Sequence, residues 1–255
     1  MNGAPGGALA RLGGNPAAVG LFLDFDGTLS EIVPTPEDAH PLPGVEPQLE
    51  RLAGAFGLVA VVTGRPADDV ARLLHAPGVR VLGLYGAEET GLPPVRPELR
   101  AAAAEAARLV PGTRVEEKGA SIAVHVRGVA DPEVAMALLA PLLERAADDD
   151  EVVLVGRQVL EVAPRAMNDK GRAVARAVRG LGLRGALYAG DDLADVAAFD
   201  ALDRLRDQGV ATVRVAVASA EAPGALLERA DLVVDGPPGL LRLLRDLEPG
   251  SGSAG

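Results

Sequence analysis

Apolar residues run through this chain in two different rhythms. Val19–Leu23, Leu58–Val62 and Ala186–Ala189 are short, continuous apolar blocks, and Val213–Val217 is one broken only by Arg214. A strand covered on both faces has no polar side to present, so such blocks predict central strands of a parallel sheet. Val79–Leu84 and Leu232–Val234 extend the set. Val45–Phe56, Asp68–Leu74, Lys170–Arg179, Ala194–Phe199 and Leu240–Leu247 read as the helices between them. Pro66 suits the opening turn of the second of these helices. Strand and helix in alternation predict a parallel sheet with right-handed crossovers.

Between residues 87 and 165 the rhythm changes. An Ala-rich helix near 95–109 and another over Pro132–Ala147 accompany four short segments of alternating polarity. These are Arg114–Lys118, Ser121–Arg127, Val152–Val155 and Gln158–Ala163. Alternation predicts half-buried antiparallel strands with one face on the helices. The expected fold class is α/β, with residues 1–86 and 166–255 forming a parallel-sheet Rossmann-like core. Residues 87–165 are expected to be an inserted α+β cap. The last residues, Pro249 to Gly255, read as a loose tail.

Composition narrows this picture. With no Trp, two Tyr and four Phe, the core must be built from Ala, Val and Leu. The absence of Cys excludes disulfides and thiolate metal sites. A net charge of −11 argues against nucleic acid and anionic membrane as partners. The first nineteen residues are rich in Gly, Ala and Pro and hold no continuous apolar segment. They predict neither a secretory signal nor a membrane anchor, so a cytoplasmic location is expected; the chain is separately expected to be a monomer. Of 25 basic residues only Lys118 and Lys170 are lysine. In a chain that otherwise uses Arg, a lysine marks a position suited to a compact ammonium.

The chemistry gathers at strand ends. The first strand runs into Asp24-Phe25-Asp26-Gly27-Thr28, two carboxylates one residue apart, then a flexible turn and a hydroxyl. Ligands of parallel sheets collect at such ends, and this set suits Mg²⁺ and phosphate. The second strand ends in Thr63-Gly64-Arg65. Lys170 opens a helix, and Gly190-Asp191-Asp192-Leu193-Ala194-Asp195 follows another buried strand.

In order and identity these elements resemble the haloacid dehalogenase superfamily of phosphotransferases. The resemblance implies that Asp24 is the nucleophile that forms an aspartyl phosphate. Asp26 would protonate the leaving alkoxide and then activate water. Asp24, the backbone carbonyl of Asp26, and Asp191 would hold Mg²⁺, with Asp192 and Asp195 in support. Thr63 and Lys170 would bind the phosphoryl oxygens, and Gly64 and Arg65 would join them at the substrate.

The insert is more specific. Val115-Glu116-Glu117-Lys118, Ser121-Ile122-Ala123-Val124-His125-Val126-Arg127 and Leu160-Glu161-Val162-Ala163-Pro164 closely resemble the cap of trehalose-6-phosphate phosphatases. That similarity implies a small-molecule sugar phosphate as substrate, its distal glucose gripped by Glu116, Lys118, Arg127 and Glu161. Mixed charges suit a polyol, because carboxylates accept and cations donate. The chain departs from the family at Tyr85 (usually His), Ala163 (usually Arg), Ala194 (usually Thr) and Val196 (usually Glu). These departures leave phosphorylated pseudo-disaccharides, sucrose or mannosylglycerate as alternative substrates. A phosphomutase or a non-catalytic sugar-phosphate sensor would share parts of the pattern.

Overall fold

The computed structural model describes residues 12, 15–33, 35, 38–88, 94–156, 158–165, 169–220 and 222–247. The chain forms two compact units, residues 1–89 with 169–255, and residues 90–168. The expected terminal tail, from Pro249 to Gly255, lies outside the described residues, as do residues 89–93 and 166–168 near the two expected domain boundaries.

In chain order the first unit opens with β1 (Val19–Leu23), α1 (Val45–Ala55), β2 (Leu58–Val62), α2 (Ala67–Leu73) and β3 (Arg80–Leu82). The second unit follows as α3 (Pro97–Leu109), β4 (Arg114–Lys118), β5 (Ser121–His125), α4 (Pro132–Ala146), β6 (Glu151–Gly156) and β7 (Val159–Pro164). The first then resumes with α5 (Lys170–Gly180), β8 (Gly185–Gly190), α6 (Asp195–Asp207) and β9 (Ala211–Ala218). It closes with α7 (Gly224–Arg229), β10 (Leu232–Asp235) and α8 (Gly236–Asp246).

The first unit is a six-stranded parallel sheet in the order β10-β9-β8-β1-β2-β3. Its middle strands β1 and β8 are buried along their whole length, as their unbroken apolar blocks require. On one face Leu21, Leu23, Leu187 and Val215 meet Leu49 and Leu52 of α1 and Leu240 and Leu244 of α8. On the other, Phe22 and Tyr188 meet Val174 of α5, Phe199 and Leu202 of α6, and Leu226 of α7.

Several elements differ from the sequence reading; β5 ends two residues early, at His125, and α8 begins four residues early, at Gly236. The third strand stops at Leu82 because Leu84, Tyr85 and Gly86 all take positive φ, at 47°, 58° and 78°. Left-handed backbone cannot continue a strand. Helix α6 runs eight residues past the expected end, and α7 was not expected at all; its six residues bury only Leu226.

The second unit is an antiparallel sheet in the order β4-β5-β7-β6. Ile122, Val124, Val126, Leu160 and Val162 pack on Leu99 and Ala103 of α3 and Leu139 and Leu143 of α4. The alternating residues therefore divide between two faces as their pattern predicts.

Candidate active site

Neighbouring β1 and β8 release their polar ends side by side. Leu23 pairs with Ala189, and the Asp24 N–H donates to the Ala189 carbonyl at 2.9 Å. Helix α5 begins beside them, its N-cap Asp169 accepting from the Arg172 N–H at 2.9 Å. This places the Lys170 ammonium, only 3 % exposed, 2.9 Å from Asp24 Oδ2 and 2.6 Å from Asp195 Oδ1. Burial alone would depress the Lys170 pKa, but Asp24 and Asp195 hold it well above its ordinary value. The same burial pushes the Asp24 carboxyl up against the pull of Lys170.

Asp195 organises this cluster. Its Oδ1 also accepts from the buried Tyr188 hydroxyl at 2.6 Å, and its Oδ2 from the N–H groups of Asp191 and Asp192 at 2.8 and 2.9 Å. With Lys170, four donors converge on one fully buried carboxylate. Burial works against its ionisation, yet Lys170 and these donors hold its pKa down. Tyr188 escaped the sequence reading because a lone Tyr inside an apolar strand looks like core. The available signal was the scarcity of aromatics and its place two residues before Gly190-Asp191.

Asp26 faces a different partner. Its carboxylate, 41 % exposed, receives a two-pronged grip from Arg65, Nε to Oδ2 at 2.7 Å and Nη2 to Oδ1 at 2.6 Å. The Arg65 guanidinium also lies over the Phe25 ring, 5.5 Å from its centre. Thr63 Oγ1 accepts from the Arg65 N–H at 3.1 Å, which fixes the start of the turn. The left-handed segment after β3 latches onto the same loop: Tyr85 N–H donates to the Thr63 carbonyl and Leu84 N–H to that of Arg65. A side chain on Gly64 would strike the Tyr85 hydroxyl. The Tyr85 ring in turn stands 5.9 Å from Lys170 Nζ. Asp24, Asp26, Thr63, Gly64, Arg65, Lys170, Asp191, Asp192 and Asp195 thus gather at the carboxyl edge of one sheet.

The donor set fits a divalent cation. Asp24, Asp192 and Asp195 each bring a carboxylate oxygen within 4.8 Å of the others. Asp191 accepts from Thr28 Oγ1 at 3.0 Å, and its carboxylate fills the space a Cβ on Gly27 would need. Burial, with the charges of Asp195 and Asp192, pushes the Asp191 pKa up to about 7. Four carboxylates around a single ammonium leave a deficit of positive charge, which a hard cation with oxygen ligands would meet. Because Asp195 is already saturated by protein donors, the freer oxygens belong to Asp24, Asp191 and Asp192.

In the second unit Glu116, Ala123 and Glu161 lie in one row across β4, β5 and β7. Glu116 Oε2 lies 2.8 Å from His125 Nε2, and Glu161 takes the Ser121 hydroxyl at 2.5 Å with Lys118 at 3.7 Å. Burial opposes ionisation of Glu116, but His125 and Lys118 hold its pKa low. Arg127 stands exposed just past the end of β5. Ser121 was missed because a lone serine carries no signal of its own.

A profile of the Trehalose-phosphatase family matches residues 22–230, most of the chain. The protein belongs to that family. Among curated relatives, the Mycobacterium avium trehalose-phosphate phosphatase is 34 % identical over 224 residues, covering 80 % of this chain and 56 % of its own length. The Mycobacterium marinum trehalose-phosphate phosphatase is 35 % identical over 201 residues, covering 71 % and 51 %. The chain thus spans about half the length of the curated relatives it matches. The solved trehalose-6-phosphate phosphatase of Aspergillus fumigatus superposes with a TM-score of 0.68 at 21 % identity, covering 97 % of this chain and 98 % of that one. A haloacid dehalogenase-like hydrolase from Bacteroides thetaiotaomicron superposes at 0.61 with 15 % identity, covering 89 % and 98 %. The fold is that of the haloacid dehalogenase-like hydrolases. Among the described residues no helix is long and apolar enough to cross a membrane.

Proposed function

We propose that this trehalose-phosphatase family member hydrolyses trehalose 6-phosphate to trehalose and phosphate through an aspartyl-phosphate intermediate. The observation that carries the reading is Asp24, buried at the end of the central strand with its carboxylate 2.9 Å from Lys170. An anionic nucleophile attacking an anionic phosphate needs cationic groups arranged before the reaction. Mg²⁺ would be held by Asp24, the Asp26 carbonyl and Asp191, with Asp192 and Asp195 in support, and would supply the charge neutralisation that phosphoryl transfer requires. The Asp24 carboxylate forms a bond to phosphorus as the ester P–O bond breaks. Asp26 gives its proton to the departing sugar oxygen and then takes one from the water that cleaves the acyl phosphate. Lys170 and Thr63 hold the phosphoryl oxygens beside Gly64. Arg65 grips both oxygens of Asp26 in this structure and must free one of them before Asp26 can carry the proton that it gives. Tyr188 and Asp195 hold the Lys170 ammonium in place.

The mixed charges on one face of the second unit fit the sugar. Glu116, Lys118, Arg127 and Glu161 would grip the distal glucose, the residues 87–165 acting as the recognition cap of a catalytic core. The chain would act in the cytoplasm as a monomer. Tyr85 beside Lys170, with Ala163, Ala194 and Val196, favours a second reading in which another disaccharide phosphate is the substrate. Phosphate release measured over trehalose, sucrose, glucose and mannosylglycerate phosphates decides between them. Trehalose 6-phosphate should give the highest kcat/KM, and a clear preference for any other would replace it.

A further inference from the structure

Where α5 lies against α6, an open groove of about 700 Å³ is lined by Gly171, Arg172, Arg176, Arg179, Ala201 and Arg204. Arg172, Arg176 and Arg179 fall at helical spacing on one side of α5, and Arg204 comes from α6. The two helices meet so closely that a side chain on Gly171 would strike the Ala197 carbonyl. Four long cationic side chains therefore rim a floor of glycine and alanine.

None of the lining residues is acidic, although the chain carries a net charge of −11. The side chains of Arg172 and Arg204 have no ion pair or hydrogen bond among the described residues, and Arg179 donates only to the neutral Gln208 Oε1, at 3.2 Å. Arginines nearby are treated differently: Arg206, Arg214 and Arg229 share the carboxylates of Asp200, Asp203 and Asp231. Arg176 reaches out of the groove and donates to the Gly86 carbonyl at 2.6 Å. Gly86 ends the left-handed segment that holds Tyr85 beside Lys170.

We propose that this groove binds a small organic molecule bearing phosphoryl groups, away from the reacting groups, and that Arg176 couples its occupancy to the Leu84–Gly86 turn. Guanidinium forks match phosphoryl oxygens in pairs, and several forks in one concavity suit more than one anionic group. The volume lies within the range of small-molecule sites and exceeds the needs of a lone phosphate ion. A nucleic acid is disfavoured, because the negative field of the whole chain repels a long polyanion.

Equilibrium dialysis of the full chain in saturating Mg²⁺ tests the proposal, with ADP as probe and inorganic phosphate as the second arm. ADP should bind saturably, and the double variant R172E/R204E should bind it at least tenfold more weakly. Turnover of p-nitrophenyl phosphate without ADP should stay within twofold, since neither residue belongs to the catalytic set. Loss of inorganic phosphate binding by the same factor would trace recognition to the phosphoryl group alone. Phosphate is also the reaction's product, so phosphate binding unchanged in the double variant belongs to the reacting groups and overturns phosphoryl recognition in the groove. Equal ADP affinity in wild type and variant, or no saturable binding, overturns it. Should the double variant lose its far-UV signal, R204A decides by the same criterion. Bound ADP should also change amide exchange at residues 84–87, and unchanged exchange at saturation overturns the coupling.

Discussion

In the six-stranded sheet every residue of β1 and β8 is buried, whereas no residue of β4 in the four-stranded sheet is fully buried. A strand covered on both sides can offer polar groups only where it ends. Asp24 and Asp191 stand at such ends, where burial fixes their geometry and strengthens every charge around them. A strand with one open face can offer a polar residue at every second position. Glu116, Lys118 and Glu161 are spread in this way over a surface that water still reaches. The first arrangement suits bond-making, which needs a few groups held rigidly. The second suits recognition of a polyol, which needs many donors and acceptors at modest cost.

Substitutions can test how far that division of labour holds. The largest effect is expected at Asp24→Asn, which would remove the proposed nucleophile and should lower kcat by about a thousandfold or more. Circular dichroism should be unchanged, and retention of several per cent of activity would separate Asp24 from bond-making.

Glu161→Ala strikes the other sheet. Loss of charge-assisted hydrogen bonds, about 1.5–3 kcal/mol, should lower kcat/KM for trehalose 6-phosphate roughly ten- to a hundredfold. Turnover of p-nitrophenyl phosphate should hold within twofold. Equal losses on both substrates would mean that Glu161 supports its own sheet through Ser121 rather than binding sugar.

Tyr188→Phe deletes one of the four donors to Asp195 without emptying the space that the ring fills. A drop in kcat of about tenfold is expected on both substrates, with KM little changed. A change in KM for the sugar phosphate alone would contradict a role in positioning Lys170.

The smallest effect on activity is expected far from either site, at Asp231→Asn. Asp231 accepts from the Arg214 guanidinium at 3.1 Å and from Arg206 at 3.0 Å. Burial opposes its ionisation, but the hydrogen bonds from Arg214 hold its pKa below the ordinary value. Its contribution is therefore complete above the unfolded carboxylate pKa of about 3.9 and fades as pH falls through the lower folded value. The variant should lose about 2 kcal/mol of stability at neutral pH and much less near pH 3, by urea denaturation at each pH. An equal loss at both pH values would show that the charge of Asp231 is irrelevant.

The sequence made the division between the sheets visible because burial on one face or on two leaves different periods in the chain. It also exposed Asp24, Asp26 and Asp191, since a charge at the end of an apolar block has few other reasons to be there, and Lys170 as one of two lysines in a chain that otherwise uses Arg. What stayed hidden depends on contacts that no local period records. Thr28 meets Asp191 across 163 positions, and Ser121 meets Glu161 across 40. The grip of Arg65 on Asp26 and the left-handed turn at Leu84 and Tyr85 belong to the same class. In the turn, non-glycine residues take a conformation their side chains disfavour, and bonds to Thr63 and Arg65 hold them there.

The strand order also sets a timetable for synthesis. β1 lies between β2 and β8, yet β8 leaves the ribosome some 160 residues after it. At about 5–20 residues per second, one edge of this apolar strand waits roughly 8–30 s for its neighbour. The intervening unit has its own core of local antiparallel pairings and can close during that wait. Assembly of the acidic cluster then becomes a late step, and the unpaired edge of β1 is the surface that a chaperone would have most reason to cover.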